Sequence, residues 1–152
     1  LYIAGVLHDI GKIISFLHLS SFFEEIIKHQ RQQNCLLYES ELEVLGFGHE
    51  QIGCWLLEQW NLPPEIISPI RYHHLPVEAK GDKMPAHMLH LADIITRALM
   101  VGNGGDNTIP YINNATWSEL DLSNSTLEQL IEKVYQNIDT ASDFFTFIKQ
   151  QD

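Results

Sequence analysis

Two cysteines, Cys35 and Cys54, are all that the 152-residue sequence carries, so no disulfide framework holds this chain together. No apolar run approaches the roughly 20 residues that would span a bilayer, and no charged segment introduces a signal-peptide core. Six prolines and nine glycines are too few for a fibrous or disordered chain. Basic residues are scarce as well: nine Lys and Arg stand against twenty Asp and Glu, a formal charge of -11. A surface that acidic repels phosphate backbones, which disfavours nucleic-acid duplexes and anionic membranes as partners. A cytoplasmic protein is the expectation. What the chain does have is 45% hydrophobic residues, enough at this length to bury the core of one domain spanning residues 1–152. It also has eight histidines, a large number for so small a chain.

The apolar periodicity is helical almost throughout. Leu1–Leu7 and Ile10–Leu17 are apolar segments separated by His8-Asp9. Ser20 suits the N-cap of a helix running to about Gln33. A short helix from Glu39 to Leu45 ends at Gly46-Phe47-Gly48, and His49 to Trp60 follows with Ile52, Trp55, Leu56 and Trp60 as its expected core face. Pro64 opens the next helix, which reaches His73 with a kink expected at Pro69. Pro85 to Val101 reads as a long apolar helix, and 102–107 as a glycine-rich loop. Ser123 starts a last amphipathic stretch, Leu127–Ile148, with a break expected near Asp139. No segment alternates with period two, so the fold class is all-α. The opening Leu1–Leu7 reads as the inside of a buried helix. The expectation is a domain lacking its N-terminal helical part, with Leu1–Leu7 packed on helices outside this sequence or forming an apolar patch that drives homodimerisation.

On these helices the polar residues fall on apolar faces. His49 lies three residues before Ile52, and His73 and His74 follow Ile70 at i+3 and i+4. Asp93 sits in a helix that is apolar nearly all round, and His8-Asp9 ends an apolar segment. Buried carboxylates must be paired, protonated or metal-bound, because an isolated one costs several kcal/mol. Imidazoles with carboxylates suit a divalent ion such as Zn, Mn or Fe, either one ion or two bridged by Asp9. Such an ion lowers the pKa of a coordinated water and so supplies a nucleophile toward phosphorus; Lys12, one turn after His8, could then meet a substrate phosphate. The plainer alternative is a hydrogen-bonded His-Asp network ordering the core, with Lys12 a solvated helix-end lysine. His90, three residues before Asp93, either supports the set or simply packs. His18, His29 and His87 carry no signal.

Leu7-His-Asp-Ile-Gly-Lys12 resembles the signature of the HD phosphohydrolase superfamily. The downstream series of His49 in Gly-His-Glu, the pair His73-His74, and Asp93 in His-Leu-Ala-Asp is similar to that superfamily's metal set. Within it, Glu39-Ser-Glu-Leu-Glu-Val-Leu-Gly-Phe-Gly-His49 and Gln51-Ile-Gly-Cys-Trp-Leu-Leu-Glu-Gln-Trp-Asn-Leu-Pro63 resemble HDOD domains, the HD-related output domains of bacterial signalling proteins. So does the stretch from Ile70 through His73-His74 to Pro76. The resemblance is close from about Leu1 to Leu99 and loose beyond.

It implies an HD-like helical bundle with His8, Asp9, His49, His73, His74 and Asp93 as metal ligands and Asp9 and Lys12 as the chemical groups. Fe, Mn, Zn or Mg would be the ion, one or two of them, and the fragment could also lack it. HD enzymes take a further ligand histidine from a helix before the His-Asp pair, and the sequence starts after that point. The Gly-Tyr-Pro element that follows His-His in cyclic di-GMP phosphodiesterases is replaced here by Leu75-Pro-Val. The resemblance therefore implies a signalling output module that binds protein partners, regulatory domains or a nucleotide ligand. The alternative is a metal-dependent phosphohydrolase acting on a nucleotide or cyclic nucleotide.

Overall fold

The computed structural model describes residues 1–102, 104–106 and 108–149, and the regular elements in them are all helical. They fall into two compact units, Leu1–Leu120 and Asp121–Asp152. The first unit begins with α1 (Tyr2–Leu7), α2 (Ile10–His18) and α3 (Ser20–Gln33). It continues with α4 (Leu37–Leu45), α5 (His49–Gln59) and α6 (Pro64–Tyr72), a single 3-10 turn at Pro76–Glu78, α7 (Met84–Ala98) and α8 (Asn114–Glu119). The second unit is built on α9 (Asn124–Lys149), where the Ser123 hydroxyl accepts the Thr126 amide at 3.0 Å, as an N-cap does. No single helix among the described residues is long and apolar enough to cross a membrane.

The helix ends follow local chemistry, with some differences from expectation. Glu39 accepts the Leu36 amide at 2.8 Å, and this brings α4 in two residues before the expected Glu39. Ser20 makes no capping bond; it is the first helical residue, behind Leu19. Gly46 closes α4 at φ 80°, a left-handed conformation in which a Cβ is strained. Pro64 stands at the start of α6, whose lost amide costs nothing there, and Pro69 lies buried inside the same helix. The α9 backbone runs through Asp139 without the expected break. Helix α8 had no forewarning in the apolar pattern; Asn113 starts it by accepting the Ala115 amide at 2.8 Å.

A core cluster of Ala4, Cys54, Leu57, Ile67, Ile70 and Leu89 joins α1, α5, α6 and α7, with Leu7, Leu62 and Ile66 packed against it. Trp55 and Trp60 are not core residues as their spacing suggested: they are 48% and 55% exposed. The inward positions of α5 go to Ile52, Gly53, Cys54 and Leu57, small or aliphatic residues that let neighbouring helices approach. In α1 only Ala4 is buried, while Leu1, Tyr2, Ile3 and Val6 are exposed, as are Ile13, Phe16 and Leu17 of α2. Within this chain, most of the Leu1–Leu7 segment is therefore uncovered apolar surface.

Helix α2 lies directly on α5. A Cβ added to Gly11 would stand 1.9 Å from the His49 carbonyl oxygen and 2.9 Å from the Gly53 amide, and one on Gly53 would stand 3.1 Å from the Ile10 side chain. Backbone meets backbone there, so neither side can yield by rotating a side chain. Gly11→Ala should therefore destabilise the chain by about 1–3 kcal/mol, the usual range for overpacking. Gly5→Ala, where a Cβ meets nothing within 4 Å, should be neutral or stabilising by up to about 1 kcal/mol. Urea-unfolding midpoints of the two variants decide the matter; equal midpoints would contradict the α2–α5 contact.

Candidate metal centre

The α2–α5 contact sets the first pair of polar groups. His8 ends α1 and Asp9 precedes α2, while His49 is the first residue of α5. His73 closes α6 with His74 next to it, and Asp93 lies within α7. The six residues expected from sequence are brought together. His49 Nε2 is 3.2 Å from Asp9 Oδ1 and 3.1 Å from His74 Nε2. His8 Nε2 is 3.5 Å from Asp9 Oδ2 and 3.6 Å from Asp93 Oδ1. The ring centroids of His8 and His73 are 5.2 Å apart, and those of His49 and His73 are 5.6 Å apart. Ligand atoms sharing one ion at about 2.1 Å stand roughly 3.0–3.4 Å from each other in octahedral or tetrahedral geometry. The observed spacings lie in or just beyond that range.

The tautomers follow from the outer partners. His8 Nδ1 is 2.8 Å from the Gly5 carbonyl, His73 Nδ1 is 2.7 Å from the Ile70 carbonyl, and His49 Nδ1 is 2.6 Å from Glu41 Oε2. Carbonyl and carboxylate oxygens only accept, so each Nδ1 carries the proton and each Nε2 is left to face the centre. His8 Nε2, His73 Nε2 and Asp9 Oδ1 are buried and make no well-formed hydrogen bond among the described residues. Buried polar atoms in that condition are costly unless something else satisfies them. Two unsatisfied imidazole nitrogens and a carboxylate oxygen, with His49 Nε2 beside them, are a donor set that fits a borderline divalent ion. His49, His73 and His74 form one group whose ligand atoms lie within 4.8 Å of each other, and His8, Asp9 and His73 form a second.

His90 shows the contrast. Its Nδ1 donates to the His73 carbonyl at 2.7 Å and its Nε2 accepts the Asn113 amide at 3.2 Å. Both nitrogens are used, so His90 holds the His73 backbone in place and is not a ligand. His87 pairs with Thr116 at 2.9 Å in the interior, and His29 with Ser40 at 3.0 Å.

Electrostatics divide the imidazoles. Burial pulls His49 toward neutrality, but Asp9 on one side and Glu41 on the other overcome it and hold its pKa up at about 9. Burial, reinforced by the charges of His49 and His8, pushes His73 down to about 3. Burial also holds His74 well below its usual range, helped by His73 and His49. Burial would raise both carboxylates, yet His49, Lys12 and His8 keep Asp9 far below the ordinary range, while His8 and Arg97 bring Asp93 to about 2.

Lys12 is at the centre, but its Nζ donates to Asp9 Oδ2 and to the Gly104 carbonyl, both at 2.9 Å. Sequence reasoning missed four further contributors. Glu41, fully buried, also accepts the His49 amide at 2.8 Å. Tyr38 stacks flat on His74, with ring centroids 4.3 Å apart and planes 12° apart. Arg97 grips Asp93, its Nε 2.9 Å from Oδ1 and its Nη2 2.9 Å from Oδ2. Asp106 pairs with Arg97 on its other side. Glu41 stands eight positions before His49 in an acidic run that reads as solvated surface, and nothing in composition marks it as buried. Arg97 follows Asp93 at i+4, the one spacing that could have revealed a pair. A cleft of about 470 Å³, lined by Leu36, Tyr38, His74, Asp93, Tyr111 and Asn113 among others, opens onto the centre.

An ion entering at neutral pH must displace the proton on His49. Binding of Mn(II), followed by titration calorimetry, should therefore tighten by about tenfold per pH unit from pH 6 toward 9 and release a proton. Asp9→Ala should abolish binding with the far-ultraviolet helical signal intact. Glu41→Gln, which removes the negative charge facing His49 Nδ1, should weaken binding by about ten- to a hundredfold. A pH-independent affinity, or a Glu41→Gln protein that binds as the parent does, would contradict this geometry.

Comparison with known proteins places the chain in a family. An uncharacterized protein of Treponema pallidum (strain Nichols) is 30% identical over 73 residues, covering 48% of this chain and 14% of that protein. The crystal structure at 1.90 Å of an HDOD domain protein of unknown function from Geobacter sulfurreducens matches with a TM-score of 0.74 over 91% of this chain and 50% of that one. Its identity is 20%, so it speaks for the fold alone. This chain therefore spans half or less of each of these relatives. The HDOD domain family matches residues 1–76, from α1 through the His73-His74 pair, and on that match the chain belongs to the HDOD domain family.

Proposed function

We propose that this chain is a signal-transduction output module of the HDOD type, working by ligand or protein binding around a retained HD-type metal centre. The observation that carries this reading is the common orientation of His8, His49 and His73. Each gives its Nδ1 proton to an oxygen outside the centre and turns its Nε2 inward toward Asp9 and His74. A core that needed only packing would satisfy the Nε2 atoms of His8 and His73, as it does for His90. A divalent ion held there would cross-link the α1–α2 junction with α5 and α6, and could polarise a ligand in the cleft beside His74 and Asp93.

Binding is favoured over turnover by the state of the cations. Lys12 already pairs with Asp9 and Gly104, and Arg97 with Asp93 and Asp106, so the positive charge of each is offset by carboxylates before a phosphate arrives. The second reading, phosphoester hydrolysis on a nucleotide or cyclic nucleotide, draws support from the cleft that reaches His74 and Asp93. Metal analysis of the purified protein, followed by a screen of nucleotides and phosphodiesters, separates the two. The expected outcome is bound Mn, Fe or Zn with no measurable hydrolysis of cyclic di-GMP. Turnover of about 1 per second, ordinary for an enzyme, would establish the hydrolase reading instead.

A further inference from the structure

We propose that Asp106 is a positioning residue for the metal centre: through Arg97 it fixes the carboxylate of Asp93, and so sets how tightly the centre holds its ion. The proposal rests on the metal-binding reading above and extends it to a residue well outside the HD-like motifs.

The guanidinium of Arg97 is divided between two carboxylates. Its Nε and Nη2 edge faces both oxygens of Asp93, each at 2.9 Å, and its Nη1 pairs with Asp106 Oδ2. The Nε hydrogen bond together with the Nη2 ion-pair contact restricts the carboxylate more than a single lysine contact would. The three side chains are nearly dry, with 9%, 8% and 5% of Arg97, Asp93 and Asp106 exposed, so their attraction is little screened. One of the oxygens so held, Asp93 Oδ1, is the atom that stands 3.6 Å from His8 Nε2.

Arg97 alone would be a poor anchor. Its long side chain leaves the same helix as Asp93 and reaches back one turn, with several rotatable bonds to order. Asp106 supplies the fixed end. Its Oδ1 accepts the backbone amide of Leu37 at 2.5 Å and the Gln30 side-chain amide at 3.2 Å, tying it to the start of α4 and to α3. Gln30, itself 2% exposed, also donates to the Gly105 carbonyl at 3.0 Å. An unbroken line of contacts thus runs from α3 and α4 through Asp106 and Arg97 to Asp93 and His8. Asp106 touches no expected metal ligand, so its influence on the centre passes through Arg97.

The rival account is that Asp106 merely fastens its own segment to α3 and α4. Asp106→Asn separates the two, because an amide oxygen still accepts the Leu37 amide while the charge facing Arg97 is lost. Mn(II) affinity is measured by calorimetry on the whole 152-residue chain for the parent, Asp106→Asn, Arg97→Ala and the double variant, with metal-free melting recorded for each. The expected result is a loss of about ten- to a hundredfold in affinity for Asp106→Asn. The same substitution on the Arg97→Ala background should cost nothing further, since its route is already cut. If Arg97→Ala does not fold, Arg97→Lys, which keeps the charge without the fork, takes its place in the cycle. An Asp106→Asn protein that binds Mn(II) like the parent, or losses that multiply in the double variant, would overturn the proposal. A parent chain that takes up no Mn(II), Fe(II) or Zn(II) would instead overturn the metal reading on which it rests.

Discussion

The candidate metal centre depends on how closely α2 can lie on α5. That distance is set by two backbones in contact at Gly11, where no side chain intervenes. Because His49 is the first residue of α5 and Asp9 the residue before α2, the approach of the helices is also the approach of their polar ends. A residue with a Cβ at position 11 would hold the helices apart, and the 3.2 Å separation of His49 Nε2 from Asp9 Oδ1 could not survive. The glycine of Leu-His-Asp-Ile-Gly-Lys is thus as necessary to the centre as the histidine and aspartate before it. Its contribution is geometric, and the chemistry follows from it.

Gathering so many polar groups in an interior is costly unless each compensates another. Here compensation is arranged by sign. Asp9 and Asp93 keep their charge because His49 and Lys12 face the one, while His8 and Arg97 face the other. Glu41 lets His49 hold a proton that burial alone would remove. His73 and His74 go the other way: burial, reinforced by the neighbouring imidazoles, keeps them neutral. Neutral imidazoles with inward lone pairs are the form in which histidine binds a metal. The same contacts that make the apo interior tolerable therefore also prepare it to receive a cation.

Much of this was legible in the sequence, and the parts that were not share a physical reason. Helices α2, α3, α5 and α7 follow from apolar spacing and from Pro and Gly punctuation. The six inward polar residues stand out because each breaks an apolar face. The outer residues carry no such mark. Glu41 lies among Glu39 and Glu43, and a helix with three acids reads as solvated until the neighbouring element is known. Asp106 sits in a glycine-rich loop with no periodicity to consult. Trp55 and Trp60 misled for the converse reason: helical spacing identifies a face but not which of two faces is covered. On α5 the covered face is that of Gly53, Cys54 and Leu57, where close packing demands small or aliphatic side chains. Helix α8 has too few apolar residues for periodicity to show, and its start is fixed by one Asn113 hydrogen bond.

A phosphohydrolase and a binding module built on this scaffold would differ less in their metal ligands than in their unengaged positive charge. Phosphoryl chemistry needs a cation that strengthens its contact as charge develops in the transition state. Beside this centre, among the described residues, Lys12 and Arg97 are the basic side chains, and each already has an oxygen partner on two sides. A phosphate entering the cleft would first meet His74, Glu39 and Asp93, on a chain whose formal charge is -11. At either cation it would compete with a carboxylate of the candidate centre or of its surroundings. Catalysis would then weaken the centre it depends on, whereas an uncharged or cationic ligand, or a polypeptide surface, could occupy the cleft with that network intact. On the reading proposed above, the arrangement of charge, more than the identity of the candidate ligands, is the argument for recognition over turnover.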